Sequence, residues 1–144
     1  MTLPDSSSGV RTRILIADDN QAMRDTVIEM LDTDYDIVAV AADGRGVVDL
    51  EAKLKPEIGI IDIAMPSQTG LEAAAELKSR GSQMRIVFLT VHDDPDYVSA
   101  AVDSGAAAYV VKREMGRELR KALSRVSSGL TYFPPYPEMP NGKA

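Results

Sequence analysis

The chain has 144 residues, of which 44% are hydrophobic, so it is long enough for one domain with a buried core and too short for two. Its net charge of −6 repels the phosphates of nucleic acids, and we therefore expect no direct nucleic-acid binding. The lack of cysteine excludes disulfides, thiolate metal sites and cysteine nucleophiles, and it suits a cytoplasmic location. The sequence shows neither a signal-peptide pattern nor an apolar run of membrane-spanning length, so we expect no contact with a membrane.

The chain divides into three predicted parts. Residues 1–10, with a serine run and a proline, predict a flexible arm. Residues 11–128 carry the regular apolar pattern of a folded domain. Residues 129–144 contain aromatic residues and several prolines, which predict an extended tail or a truncated linker and exclude a helix or a central strand.

Within the domain, five short apolar runs alternate with five helical patterns. The predicted strands start near Arg13, cover 37–41, end at Asp62, end at Leu89 and cover 108–111. The predicted helices carry apolar stripes at Met23, Val27, Met30 and Leu31, at Val47, Leu50 and Leu54, at Leu71, Ala74 and Ala75, at Val98, Ala101 and Val102, and at Leu119, Ala122, Leu123 and Val126.

Strands as apolar as these are typical of a parallel sheet that helices cover on both faces. Five βα units are too few for a closed eight-stranded barrel, which leaves an open sheet with right-handed crossovers. We therefore predict an α/β fold, a flavodoxin-like (βα)₅ doubly wound parallel sheet with strand order 2-1-3-4-5. Ligands of such sheets bind at the carboxyl edge, where the strand order reverses.

Polar side chains follow four of the predicted strands. Asp18 and Asp19 follow the first, Asp62 the third, Thr90 the fourth and Lys112 the fifth. The predicted strand order brings all of them to one edge, where three carboxylates, a hydroxyl and an ammonium suit a metal-assisted phosphate site. Each residue alone has an ordinary explanation, such as an aspartate that caps a helix, so the prediction rests on the combination.

Three carboxylates at one edge repel one another. Two unit charges about 4 Å apart repel by roughly 4 kcal/mol at an effective dielectric constant near 20. A hard divalent cation relieves this repulsion, and Mg²⁺ suits a few carboxylates together with water and a phosphate oxygen. A raised pKa that keeps one carboxyl protonated relieves it as well, and both solutions are open at this point.

The stretches around these residues resemble the receiver domain of bacterial two-component response regulators, and more narrowly its NarL/FixJ branch. In that branch a DNA-binding domain usually follows, whereas we expect this chain to be a receiver without one, either standing alone or excised from a transcription regulator. The matching stretches are residues 14–20 (ILIADDN), 60–70 (IIDIAMPSQTG), 88–90 (FLT), 105–112 (GAAAYVVK) and 126–132 (VSSGLTY).

The resemblance implies a site and a chemistry. Asp62 corresponds to the phosphoacceptor, which takes a phosphoryl group from a sensor histidine kinase. Asp18 and Asp19 correspond to the acidic pair that holds Mg²⁺ together with Asp62 and the backbone carbonyl of Ala64. Lys112 corresponds to the lysine that pairs with the acyl phosphate. The chain is then no enzyme for other substrates, since it catalyses only its own phosphotransfer and dephosphorylation.

The resemblance also implies a switch and an output. Thr90 and Tyr109 correspond to the hydroxyl and the aromatic ring that rearrange together on activation. The expected output surface is formed by helix 4, strand 5 and helix 5, through which the chain would contact a second copy of itself or a downstream protein.

Three residues depart from the family pattern. Arg113 follows Lys112 where proline is frequent, and Val91 follows Thr90 where a smaller residue is common. Ala64 offers only its backbone to a metal and no polar side chain to an attacking water. We expect the branched side chain of Val91 to narrow the access to the phosphate, and we expect slow phosphochemistry.

Other functions fit less well. A Mg²⁺-dependent aspartyl-phosphate phosphatase of the haloacid dehalogenase type is one alternative. Such phosphatases carry an Asp-x-Asp pattern at the nucleophile, whereas Ile63 and Ala64 follow Asp62 in this chain. A flavin-binding module on the same fold needs a loop rich in hydroxyls and glycine after the first strand, where the acidic pair would repel phosphate. An inactive receiver that serves as an interaction scaffold is the remaining alternative, and the intact site argues against it.

Overall fold

The computed structural model describes residues 11–137, in which five strands alternate with five helices. The strands are β1 Arg13–Ala17, β2 Asp36–Ala41, β3 Ile58–Ile61, β4 Arg85–Thr90 and β5 Ala108–Val111. The helices are α1 Gln21–Leu31, α2 Gly44–Leu54, α3 Gly70–Ser79, α4 Pro95–Asp103 and α5 Met115–Ser127, with a 3₁₀ turn at Lys112–Glu114 before α5. The arm predicted for residues 1–10 and the last part of the predicted tail, 138–144, lie outside the described residues.

All strands are parallel, and the sheet has the order β2-β1-β3-β4-β5. The predicted fold class and strand order are therefore confirmed. The central strand β3 is buried over its whole length, and Ile60 pairs with Ile16 on one side and Val87 on the other. Three predicted boundaries differ by one residue, since β2 begins at Asp36, β3 ends at Ile61 and β4 continues through Thr90.

The helices cover both faces of the sheet because alternate strand residues point to opposite sides. Ile14 and Ile16 of β1 join a core cluster with α1 and α5, in which Leu119 and Leu123 are fully buried. Leu15, in contrast, belongs to the cluster formed with α2, α3 and α4. Two buried layers therefore hold the strands in register, and the ends of the strands keep fixed relative positions.

The first three helices begin with side-chain caps close to the carboxyl ends of the strands. Asn20 accepts a hydrogen bond from the Met23 amide at the start of α1, and Asp43 accepts one from Gly46 at the start of α2. Thr69 and Glu72 form a reciprocal capping box at the start of α3. These caps satisfy backbone N–H groups that have no partner within the helix, and they fix the loops that border the carboxyl edge of the sheet.

The chain turns back onto the sheet after α5. Ser128 caps the helix, and Gly129 follows in the left-handed region at φ 84°, one residue beyond the cap. Tyr132 then forms a parallel bridge with Ala108 of β5. At Tyr132 the chain therefore runs beside the edge of the sheet. Among residues 11–137, none of the helices combines the length and the apolar character needed to cross a bilayer.

Candidate functional site

The acidic pair lies where β1 ends beside β2 and β3. The Asp18 amide donates to the carbonyl of Ala41 at 3.1 Å, which continues the ladder with β2. Its carboxylate Oδ1 accepts from the Asn20 amide at 2.9 Å, and its carbonyl accepts from the guanidinium of Arg24 at 2.6 Å. Asp18 is buried while Asp19 is exposed. The first carboxylate is thus held rigidly, and the second faces solvent.

Asp62 directly follows β3, in the middle of the sheet. Its amide donates to the carbonyl of Ala17 at 2.9 Å, and its Oδ1 accepts from the Ala64 amide at 3.3 Å. The residue is only 6% exposed. A Cβ atom at Gly70 would lie 2.3 Å from the Asp62 carbonyl oxygen, so only glycine allows α3 to start this close to Asp62.

The sheet brings the three predicted carboxylates together. Carboxylate oxygens of Asp18, Asp19 and Asp62 all lie within 4.8 Å of one another. The juxtaposition predicted from the strand order is therefore confirmed. Oxygen ligands of which two are buried and one is open to solvent fit Mg²⁺, which keeps several waters when it binds to proteins.

Lys112 provides the positive charge at this edge. Its Nζ lies 2.6 Å from Asp18 Oδ2 and 3.0 Å from Asp62 Oδ2, and it donates a hydrogen bond to each of them. Burial alone lowers the pKa of Lys112, but the hydrogen bonds and charges of the two aspartates outweigh this effect and place the pKa above its ordinary value. The ammonium therefore stays charged and bridges the ends of β1 and β3.

Thr90 and Tyr109 lie on neighbouring strands and share a link through the loop after β4. Thr90 is fully buried, and its hydroxyl accepts from the His92 amide at 3.4 Å. The Tyr109 side chain is also fully buried, and its hydroxyl donates to the His92 carbonyl at 2.8 Å. Burial, with smaller contributions from neighbouring tyrosines and aspartates, raises the pKa of Tyr109, so this hydroxyl keeps its proton. Both predicted switch residues therefore contact the same loop residue.

The three departures from the family pattern lie around the edge of the site. The Val91 side chain is 64% exposed directly after Thr90. Arg113 points to the surface, where its guanidinium pairs with Asp93 at 3.0 Å. Ala64 is exposed, and its amide bonds to Asp62 as described above.

Sequence reasoning did not assign roles to Arg24 and Gly70, although both support the aspartates. The glycine stands at the end of the IIDIAMPSQTG stretch, immediately before an apolar helical pattern, and a glycine at a helix start signals close backbone approach. Arg24 carries no comparable signal, because its role depends on a carbonyl six residues earlier that only the folded loop presents.

Comparison with known proteins gives a single family. The model of the response regulator receiver domain matches residues 14–124. The chain is 32% identical over 127 residues to transcriptional regulatory protein DegU of Brevibacillus brevis, covering 87% of this chain and 54% of that protein. It is 40% identical over 109 residues to transcriptional regulatory protein PdtaR of Mycobacterium tuberculosis, covering 75% of this chain and 53% of that protein. The chain thus spans little more than half the length of these curated relatives.

Solved structures show the same architecture. The signal receiver domain of the putative response regulator NarL from Mycobacterium tuberculosis superposes with a TM-score of 0.77 at 27% identity, covering 83% of this chain and 98% of that one. A LuxR-family two-component response regulator from Aurantimonas sp. SI85-9A1 superposes with a TM-score of 0.81 at 27% identity, covering 85% of this chain and 89% of that one.

The bridging position of Lys112 predicts a pH-dependent effect of its removal. In Lys112→Met, two buried carboxylates lose their shared cation, and we expect the free energy of unfolding to fall by about 1–3 kcal/mol at pH 7 without divalent cations. Urea unfolding of wild type and variant at pH 7 measures this loss of stability.

The contribution of Lys112 to the stability of the wild-type protein should decrease at alkaline pH. Since the pKa of Lys112 is raised in the folded protein, its stabilisation is complete below the unfolded lysine value of about 10.4 and is lost as the pH rises through the higher folded value. The deficit of the variant should therefore be constant from neutral pH to about pH 9. The exposed Lys53→Met serves as the control, and an equal loss of stability in the two variants at pH 7 would contradict the bridging role.

Proposed function

Because this chain belongs to the response regulator receiver domain family, we propose that it is a phosphorylation-controlled switch that accepts a phosphoryl group on Asp62 from a sensor histidine kinase. One observation carries the proposal. The Asp62 carboxylate lies at the carboxyl end of the central strand, between the carboxylates of the acidic pair and the ammonium of Lys112. No other aspartate among the described residues combines this position with both kinds of neighbour.

In the proposed reaction, a carboxylate oxygen of Asp62 attacks the phosphorus of a phosphohistidine. The new O–P bond forms as the P–N bond breaks, and the histidine of the kinase leaves with the electron pair. Asp18, Asp19, Asp62 and the backbone carbonyl of Ala64 would hold Mg²⁺, which supplies charge neutralisation to the phosphoryl oxygens when bound. Phosphoryl transfer depends mostly on such positioning and charge neutralisation.

Lys112 and Thr90 act on the product in this proposal. The ammonium of Lys112 already touches Asp62 and would pair with a phosphoryl oxygen. The Thr90 hydroxyl, at the end of the neighbouring strand, would donate a hydrogen bond to another phosphoryl oxygen. A shift of Thr90 would move the loop that also holds the Tyr109 hydroxyl, and this coupling is the proposed switch.

Hydrolysis of the phosphoryl group returns the switch to its starting state. The residue two positions after Asp62 is Ala64, whose methyl group can neither orient nor deprotonate a water molecule. We therefore propose a slow return and no activity toward other phosphorylated substrates. A phosphatase of the Asp-x-Asp type would need a carboxyl group at this position.

The proposed partners follow from the proposed role as a phosphorylation-controlled switch. A sensor histidine kinase supplies the phosphoryl group in the cytoplasm. Output proceeds through the surface of α4, β5 and α5, by contact with a second copy of this chain or with a downstream protein. The acidic chain itself is not proposed to bind nucleic acid, because its net charge of −6 opposes the approach of phosphates.

The first prediction concerns the acceptor. Asp62→Asn replaces the nucleophilic carboxylate by an amide of nearly the same shape, so incubation with Mg²⁺ and acetyl phosphate should add no phosphoryl group to the variant. Intact-mass spectrometry measures the label. Asp49→Asn, on the exposed face of α2, should label like the wild type. Normal labelling of the Asp62 variant would remove Asp62 from the assignment.

The second prediction concerns Mg²⁺. Asp19→Asn removes one charge from the solvent-facing side of the cluster while the buried aspartates keep their contacts, and we expect Mg²⁺ affinity to fall by about tenfold or more. Calorimetric titration of both proteins provides the measurement, with Asp49→Asn as the matched exposed control. Wild-type affinity in the Asp19 variant would show that the acidic pair does not hold the ion.

The third prediction concerns access to the site. Val91→Ala shortens an exposed side chain directly after Thr90, and we expect faster labelling by acetyl phosphate because less bulk borders the phosphate position. The rate is measured by intact mass over time, with the exposed Val102→Ala of α4 as a control for the loss of a surface valine. An unchanged or lower rate in the Val91 variant would refute the gating role of this side chain.

A further inference from the structure

The segment of residues 130–136, which we name the docked tail, covers the free edge of β5. The Tyr132 amide donates to the Ala107 carbonyl at 3.0 Å, and the Tyr132 carbonyl accepts from the Tyr109 amide at 3.0 Å. These two bonds form one parallel bridge, between Tyr132 and Ala108, on the outer side of β5. An edge strand would otherwise present such N–H and C=O groups to solvent or to another chain.

The Tyr132 side chain anchors the docked tail in the core. It is 1% exposed and packs in the cluster between the sheet and α5. Its hydroxyl donates to Oε1 of the buried Glu118 at 2.6 Å. Burial, and after it the hydrogen bond to Glu118, raises the pKa of Tyr132, so the phenol stays protonated and remains the donor. The contact therefore resembles packing within a domain core more than the loose contact of a linker.

Tyr136 makes a second contact, adjacent to the site. Its ring stacks on Tyr132 with 4.9 Å between ring centroids, and its hydroxyl accepts from the Val111 amide at 3.3 Å. Val111 is the residue before Lys112, whose ammonium bridges Asp18 and Asp62. The docked tail thus supplies the acceptors for two alternate amides of β5.

These two amides belong to the parts of β5 that the proposed switch uses. Tyr109 is tied at both ends, since its amide bonds to the docked tail and its hydroxyl bonds to the His92 carbonyl after Thr90. Val111 is tied to Tyr136 and carries Lys112 directly after it. The docked tail is therefore in contact with the backbone of the switch tyrosine and of the strand end that positions the lysine.

We propose that the docked tail is a strap that holds β5 in the arrangement in which Lys112 bridges Asp18 and Asp62, and that phosphorylation of Asp62 loosens it. This inference rests on the proposed function. Tyr136 is a positioning residue, acting through Val111 on Lys112. A phosphoryl group on Asp62 draws Lys112 and Thr90 toward its own oxygens, and the strand that carries Lys112 can follow only at the expense of contacts with the docked tail.

Thermodynamic linkage makes the proposal reciprocal. Suppose that the docked tail favours the unphosphorylated arrangement. A phosphoryl mimic bound at Asp62 must then weaken tail docking by the same factor by which tail docking lowers the affinity of the site for the mimic. The effect therefore has two independent readouts, one in the tail contacts and one in the affinity of the site. A tail that only adds stability to both states equally would change neither.

The first readout is amide exchange of Tyr109 and Val111 in the full chain, measured by nuclear magnetic resonance with Mg²⁺, in the presence and absence of beryllofluoride. We expect both amides to exchange about fivefold faster or more when the mimic is bound. Amides of β2, which lies at the opposite edge of the sheet from β5, should be unaffected. Unchanged or slower exchange at Tyr109 and Val111, with the mimic bound, would overturn the strap.

The second readout uses Tyr136→Phe, which keeps the ring that stacks on Tyr132 and removes only the acceptor for the Val111 amide. We expect beryllofluoride affinity, measured by titration in Mg²⁺, to rise by about two- to tenfold, the range that one net hydrogen bond covers. Tyr35→Phe removes a phenol hydroxyl near the start of β2, away from the docked tail, and should leave the affinity unchanged. Equal affinity in wild type and Tyr136→Phe would contradict a positioning role.

Labelling by acetyl phosphate separates this inference from the one on which it rests. If Asp62 gains no phosphoryl group in the wild type, the proposed function fails and the strap fails with it. If Asp62 is labelled while exchange at Tyr109 and Val111 and the affinity of Tyr136→Phe stay unchanged, the proposed function stands and the strap alone is wrong.

Discussion

The structure depends on one electrostatic constraint, the balance between two buried carboxylates and the single ammonium that touches both. Asp18 and Asp62 end neighbouring strands, and Lys112 reaches them from β5, two strands away from β3 in the sheet. Without a cation, two carboxylates this close repel strongly in a poorly solvated site. The lysine relieves that repulsion while leaving the solvent-facing side of the cluster, at Asp19, open to a divalent ion. Any ligand that changes the charge on Asp62 must therefore redistribute the contacts of Lys112.

The parallel sheet meets this constraint by fixing the strand ends. Core clusters on both faces of the sheet fix the register of the strands. The residues that follow β1, β3 and β5 are therefore held close together by the backbone. Two local contacts support the aspartates. Gly70 lets α3 begin against the Asp62 carbonyl, and the Arg24 side chain bonds the Asp18 carbonyl to α1. The precision of the site thus comes from the rigid scaffold more than from its own hydrogen bonds.

The same strand end that carries Lys112 also meets the chain after α5. Tyr109 is held at its hydroxyl by the loop after β4 and at its amide by Tyr132, while Val111 is held by Tyr136. The ammonium of Lys112 touches the Asp62 carboxylate, so a change of charge at Asp62 acts directly on this strand end. Part of the surface expected to carry the output, along β5, is already covered by the chain itself, so exposing it requires a change in the docked tail.

Sequence alone determined the class of fold, the strand order and the trio of carboxylates. Apolar periodicity identifies strands and helices, and parallel strands place whatever follows Ala17 and Ile61 at one edge. The tertiary structure decided the rest. Lys112 bonds to both Asp18 and Asp62 because distances across the sheet, between residues far apart in sequence, are set by packing that no local pattern encodes. The prolines after Tyr132 excluded a helix, but the docking of that tyrosine beside β5, with its hydroxyl on Glu118, depends on core packing and a hydrogen-bond partner that only the folded chain brings together.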